Sequence, residues 1–302
     1  MKLVRWFALI IVASSSIYAA EPIIPSGFFP AESTHANWAF SGVVASESGE
    51  NYGYLFQMQR DDNQFHVIVA LFDAQTKEVL FRDDSHAIVA EPNSYNWHVG
   101  HSFLQFNPIN ASWIFGFKDQ NKKGFNFKVD MLKQSEHDQT KQNLRQGVEF
   151  VVRQTGPLNG HVQAGKESTE QFVTAKGAWF RQIWLTNHQD KSHELSGVLC
   201  HFNDGSGFYS MNMPESDAMR GAIAGWIDAQ GMPLVMSQFI NVKQTPDGGP
   251  WHIRITSPNL HFILTDSLRQ DTVVAGFVDE KDKQGFCMLS KDEIGEQETI
   301  PG

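Results

Sequence analysis

Residues 195–242, LSGVLCHFNDGSGFYSMNMPESDAMRGAIAGWIDAQGMPLVMSQFINV, decide how the rest of the chain is read. Short runs of alternating apolar residues are separated by turn chemistry at Asn203-Asp204-Gly205, Pro214-Glu215-Ser216 and Asp228-Ala229-Gln230-Gly231. That is the pattern of consecutive antiparallel strands joined by hairpins. No segment within it is long enough for the helical crossover that parallel strands need. The spacing predicts a meander, which resolves as a barrel or a sandwich.

The same pattern extends outward in both directions. Residues 38–60, WAFSGVVASESGENYGYLFQMQR, form a predicted hairpin that turns at Ser46 to Glu50 and puts Tyr52, Tyr54, Phe56 and Met58 on one face. Residues 64–84 repeat it, with a turn at Asp73 to Lys77 and Phe65, Val67, Val69 and Leu71 on one face. Further strands are predicted at His101 to Phe106, Ala111 to Lys118, Gly124 to Asp130 and Glu149 to Gln154. The polar stretch Lys133 to Gln146 reads as a surface connection with a turn of helix, and the breakers of Thr155-Gly156-Pro157-Leu158-Asn159-Gly160 read as a boundary.

Beyond that boundary come a short helix, Lys166 to Phe172, and the strand AWFRQIWLT, residues 178–186, with a hairpin tip at Asn187 to His193. WHIRITS, HFILTD, TVVAGFVD and GFCMLS follow the organising stretch as strands. Roughly eight strands fall in each half, the number at which a closed barrel is just wide enough for one small ligand. The expected organisation is all-β, with an N-terminal domain at 21–160 and a C-terminal domain at 161–302.

The first twenty residues have a secretory pattern, with Lys2 and Arg5 ahead of an apolar run from Trp6 to Ala13 and cleavage expected after Ala19 or Ala20. The run is too short for a permanent bilayer span, and no cysteine near the cut could take a lipid. Removing Lys2 and Arg5 from 24 basic residues leaves 22 against 34 acidic ones, a mature net charge of about −12. Nucleic acid and anionic membrane surfaces are disfavoured as partners, no integral membrane segment is expected, and the anticipated location is periplasmic or secreted. Twenty-three Phe and eight Trp can fill a core or line a cavity for an apolar ligand. Cys200 and Cys287 either pair in an oxidising compartment or remain reduced on apolar strand faces; Cα atoms within about 7 Å would mean a disulfide.

Metal and nucleophile signals are weak. His188, Asp190 and His193 share one loop, but a polar hairpin tip has no apolar shell to orient ligands. Ser206 lies between Gly205 and Gly207 without the strand-to-helix elbow of a serine nucleophile, so those glycines read as a tight hairpin. No phosphate loop, zinc cysteine set or dinucleotide fingerprint occurs. No metal ligands, cofactor or catalytic residues are assigned.

Three places resemble the hydroxyneurosporene synthase family, also called the AttH-like or carotenoid-hydratase family, which is built from two lipocalin-like domains. Trp38, Phe40, Gly42, Gly49 and Tyr52-Gly53 match its opening block, with Ala36 and Asn37 in place of an acid and a first Trp. Trp179 to Leu185, after GPLNGH, resembles the Tyr-rich strand entering its second domain. Leu195-Ser196-Gly197 and Ala224 to Gly231 resemble its Trp-containing hairpin; between them Ser210-Met211-Asn212-Met213-Pro214-Glu215 replaces a Trp-x-Asp-His-Glu-Trp block.

That replacement bears on the chemistry. Hydrating a carbon–carbon double bond needs an acid able to protonate carbon, and Asn212 cannot be one, although its amide can hold a polar group in an apolar cavity. The resemblance therefore implies two lipocalin-like antiparallel barrels binding an apolar or isoprenoid-like small molecule without catalysis. Trp38, Trp179, Phe208 and Trp226 are the candidate walls and Asn212 is the candidate polar contact. The alternatives are a hydratase-type lyase with a displaced acid such as Glu215, and a structural or interaction module whose barrels are filled by their own side chains.

Overall fold

The computed structural model describes residues 33–131, 142–144, 147–164, 169–186, 192–213, 222–237, 240–280 and 283–295. Among these, every regular element is a strand. The first thirteen are β1 (His35–Ser46), β2 (Asn51–Asp61), β3 (Gln64–Asp73), β4 (Val79–Ile88), β5 (Asn96–Val99), β6 (Ser102–Asn107), β7 (Ser112–Lys118), β8 (Gly124–Asp130), β9 (Gln142–Asn143), β10 (Val148–Gln154), β11 (Leu158–Gln163), β12 (Gln171–Ala175) and β13 (Trp179–Leu185). They make one antiparallel sheet, ordered β4-β3-β2-β1-β12-β11-β8-β7-β6-β5, with β13 beside β1 and β10 beside β13.

β1 organises this sheet. One edge pairs with β2 through the turn after Ser46, where Gly49 takes a φ of +89° that favours glycine. The other edge takes β13 along Ala36 to Ser41 and β12 at Ala45 and Ser46. The two ends of the sheet meet, since Trp38 of β1 packs on Trp97 of β5 at 4.6 Å and Ser102 Oγ of β6 lies 3.5 Å from Asp83 Oδ2 of β4.

The remaining strands are β14 (His193–Phe202), β15 (Gly207–Asn212), β16 (Ala222–Ile227), β17 (Pro233–Leu234), β18 (Ile240–Gln244), β19 (Trp251–Ile255), β20 (Leu260–Arg269), β21 (Val273–Glu280) and β22 (Lys283–Ile294). Their order is β17-β16-β15-β14-β22-β21-β20-β19-β18, a meander apart from the return of β22 to β14. Cys200 lies directly opposite Cys287, with Cα atoms 4.1 Å apart, and the two form a disulfide.

The sheets pack back to back. Ala39, Leu55, Ile68, Ala70 and Phe72 of the first form one buried cluster with Ala275, Phe277, Phe286 and Met288 of the second. Strands such as β2 are therefore buried on both faces, one toward their own barrel and one toward the neighbouring sheet.

Three expectations differ from this picture. The sheets part between Leu185 and His193, not near residue 160, because Thr155 to Pro157 is a break within one sheet edge that continues from β10 into β11. Phe172 belongs to strand β12 rather than a helix, while residues 165–168 lie outside the described part. The expected leader, the helical turn within 133–146 and the tip at 187–193 likewise fall wholly or mainly outside it, with His193 opening strand β14.

Candidate functional site

The inner face of the second barrel is layered. Phe202, Phe208, Trp226 and Phe262 stack as its floor, with Phe208 and Trp226 5.5 Å apart and 13° from parallel. Alternation along β14 and β15 then carries the inner face upward through Cys200, Val198 and Ser210 to Ser196 and Asn212. Above the disulfide lies an open cavity of about 490 Å³. Val198, Val242, Trp251, Val274 and Leu289 give it apolar walls, and Ser196, Ser210 and Asn212 line one polar side. Its size lies within the range of small-molecule sites.

The Trp251 ring contributes to a wall of this cavity, while its Nε1 is itself shielded from solvent and has no hydrogen-bond partner among the described residues. The rim cations are already engaged: Lys291 Nζ is 3.0 Å from Glu194 Oε2, and Arg269 donates to the Gly248 carbonyl. Asp271, in the exposed turn between β20 and β21, is the cavity's only carboxylate among the described residues. Glu215 and Asp217 lie outside them.

The first barrel contrasts with the second. Phe40 stacks on Phe115 at 4.2 Å, Phe125 on Phe127 at 4.4 Å, and Trp113 and Phe180 close around them, all buried. Each such pair contributes roughly 0.5–1.5 kcal/mol beyond burial of its area. Tyr54 Oη sits among these rings with no partner, and burial pushes its pKa upward. Trp38 is part of this packing.

Trp179 lies in neither barrel. It packs with Leu199 and Ile227 between the sheets and donates from Nε1 to the Cys200 carbonyl at 2.7 Å. Gly207 permits this, because a Cβ there would stand 2.6 Å from Trp179 Nε1. The five residues singled out from sequence thus divide three ways: Phe208 and Trp226 in the floor of the second barrel, Asn212 at its mouth, and Trp38 and Trp179 in packing elsewhere. The cavity's Val198, Val242, Trp251 and Leu289 escaped notice, although their alternation marks an inner face as clearly as that of Phe208.

A polar network joins the sheets beside Trp179. Arg181 of β13 is 1% exposed and Asp292 of β22 is 3% exposed. Their Nη1 and Oδ2 atoms are 3.0 Å apart. Asp292 also accepts from Gln57 Nε2 at 2.6 Å, Asn37 Nδ2 at 3.2 Å and Ser290 Oγ at 2.8 Å. Arg181 donates to Ser290 Oγ and to Asn37 Oδ1. Both charges are compensated, so the cluster serves as a rivet between sheets rather than a reactive acid.

The Gly205 turn is a tight hairpin, as its sequence indicates. Gly205 has a φ of +92°, and Asp204 caps the backbone N–H and the hydroxyl of Ser206. Ser206 Oγ also accepts from Lys283, and the carboxylate it donates to, Asp204, is paired with the Lys283 ammonium and held well below the usual carboxylate range, which makes it a poor base for activating the hydroxyl. His188 and Asp190 lie outside the described residues.

No family model matches the chain and no curated protein does either. Solved structures do. An AttH candidate from Nitrosomonas europaea superposes with a TM-score of 0.61 at 13% identity, covering 88% of this chain and 96% of that one. Kievitone hydratase from Nectria haematococca gives 0.56 at 12% identity, covering 88% and 90%. At such identities the likeness is one of fold, and the fold is all-β, a pair of lipocalin-like antiparallel sheets that curl around separate cores.

Proposed function

We propose that this chain is an exported protein that binds an apolar, isoprenoid-like small molecule in the second barrel without transforming it. The observation that carries the reading is the contrast between a first barrel filled by its own aromatic rings and a second barrel that leaves about 490 Å³ open above its floor. The walls offer aliphatic surface, and the polar groups that line the cavity include the Asn212 amide and the hydroxyls of Ser196, Ser210 and Thr272. These suit a hydrophobic body with one hydroxyl or carbonyl. The Cys200–Cys287 disulfide and the secretory pattern of residues 1–20 both support export.

A hydratase-type lyase is the second reading, favoured by the fold likeness to kievitone hydratase. It requires an acid, which Asn212 is not, and directs attention to Glu215. One experiment separates the two. Protein purified from its own host is examined by native mass spectrometry for a co-purifying apolar ligand, and wild type, Val242→Trp and Glu215→Gln are incubated with an acyclic carotenoid. Binding lost in Val242→Trp, with no product heavier by one water, supports the binder. Hydration by wild type that disappears in Glu215→Gln overturns it in favour of the lyase. Absence of any ligand, with dye binding unchanged by Val242→Trp, removes the cavity from both.

A further inference from the structure

We infer that the outer face of β3 and β4 carries a binding site for a late first-row divalent cation, Zn²⁺ or Cu²⁺, built from His66, Asp84 and His86. His66 and His86 are directly opposite one another in the β3–β4 ladder, and Asp84 shares the face of His86 two residues earlier. One ligand atom from each of the three lies within 4.8 Å of the other two. His66 Nε2 is 2.7 Å and His86 Nε2 3.9 Å from the same oxygen, Asp84 Oδ1. The two imidazoles are parallel, 3.9 Å between centroids and 3° between planes.

Ligand atoms around a tetrahedral ion stand about 3.3 Å apart when the bonds are about 2.0–2.1 Å long. Side-chain rotations that change the separations of these atoms by roughly half an ångström to about 1.5 Å would bring this set to that geometry. The hydrogen bond between His66 and Asp84 occupies the place the ion would take, with the cation replacing the shared proton. Two imidazoles and one carboxylate suit zinc and copper rather than calcium or magnesium, which prefer an all-oxygen shell.

The backbone beneath is fixed. The ladder runs from Gln64 to Phe72, and the opposite face of β3 presents Phe65, Val67 and Val69 to the packed first barrel. The second oxygen of Asp84 accepts from Gln270 Nε2 at 3.2 Å, the kind of outer contact that orients a metal-binding carboxylate. Gln270 lies in the turn between β20 and β21 of the other sheet and also lines the cavity, so the ion would sit beside the rim of the proposed ligand site. An open groove of about 580 Å³ flanked by His66, His86 and Ile88 leaves room for water or another small ligand to complete the coordination.

The test uses the full chain without a histidine tag, stripped with a chelator and titrated calorimetrically with ZnCl₂, CuCl₂, CaCl₂ and MgCl₂. One zinc or copper ion per chain is expected, with no heat from calcium or magnesium and two imidazole nitrogens coupled to copper in electron paramagnetic resonance. His66→Ala and His86→Ala should each abolish the site, and Gln270→Ala should weaken it by about tenfold or more. His86 is largely exposed, so its loss leaves the fold intact. His252→Ala serves as the control, because His252 and His261 form another close imidazole pair. No binding of either ion, binding that survives His86→Ala, or binding abolished only by His252→Ala would overturn the assignment.

Discussion

Replacing Asp292 by Asn keeps the shape of the side chain and removes its charge, leaving the buried Arg181 guanidinium with the neutral acceptors Ser290 Oγ and Asn37 Oδ1. At the observed 3.0 Å separation, two unit charges attract by about 5–6 kcal/mol for an effective dielectric constant of about 20. Much of that offsets desolvation, and removing one partner of a buried pair costs about 3–5 kcal/mol. Arg181→Met should cost less, toward about 3 kcal/mol, because the carboxylate left behind keeps three donors from Gln57, Asn37 and Ser290. The double variant buries no charge and should fall short of the sum of the singles by about 2 kcal/mol or more. Urea unfolding followed by tryptophan fluorescence and far-UV circular dichroism measures all four proteins, with coincident transitions as the condition for comparing free energies. A cost below about 1 kcal/mol for Asp292→Asn, or strict additivity in the double variant, would refute the claim that this pair rivets the sheets.

Other expectations follow from single features. The disulfide closes a loop spanning 87 residues, so reduction should lower stability by about 4–5 kcal/mol; equal urea midpoints with and without reductant, or reactive thiols on denatured unreduced protein, would count against it. Burial depresses the pKa of His201 to about 4, against a minor upward pull from Asp204, so the unfolded chain binds the extra proton between roughly pH 6.5 and 4. Stability should therefore fall by up to about 3 kcal/mol as pH drops through that window, and His201→Gln should flatten the slope there. Gly53→Ala would place a Cβ 2.6 Å from the Phe286 ring at the sheet interface and should cost about 1–3 kcal/mol in thermal or urea unfolding, with Phe286→Leu recovering part; a neutral effect would mean the interface is looser than described.

Most of the strand pattern was legible because hairpins announce themselves locally. The turns after Ser46 and Asp73, and at Asn203 to Gly205, lie where glycine, aspartate and serine mark them. The partition into sheets was less legible. Pro157 and Gly156 look the same whether they separate domains or kink one edge, and only the pairing of β11 with β8 and β12 distinguishes the two cases. Asn212 was found through its place in a resemblance, and it does line the cavity; Trp251 was not, because nothing local distinguishes a tryptophan on a cavity wall from one in a core. Arg181 and Asp292 were equally hidden, since their partnership spans the chain. His66 and Asp84, eighteen residues apart, meet only through the register of a ladder.

The position of β1 also bears on how the molecule comes into being. Its edge partner β13 sets Trp184 opposite Ala36, so β1, the earliest of the described strands, waits for roughly 150 further residues to be synthesised before that side is covered. For that interval an apolar strand with one open edge is available to any other chain displaying the same kind of edge. Sheet closure then becomes a late, long-range event, slow in the manner of high-contact-order β proteins. Concentration during refolding, more than final stability, should set the yield of native protein.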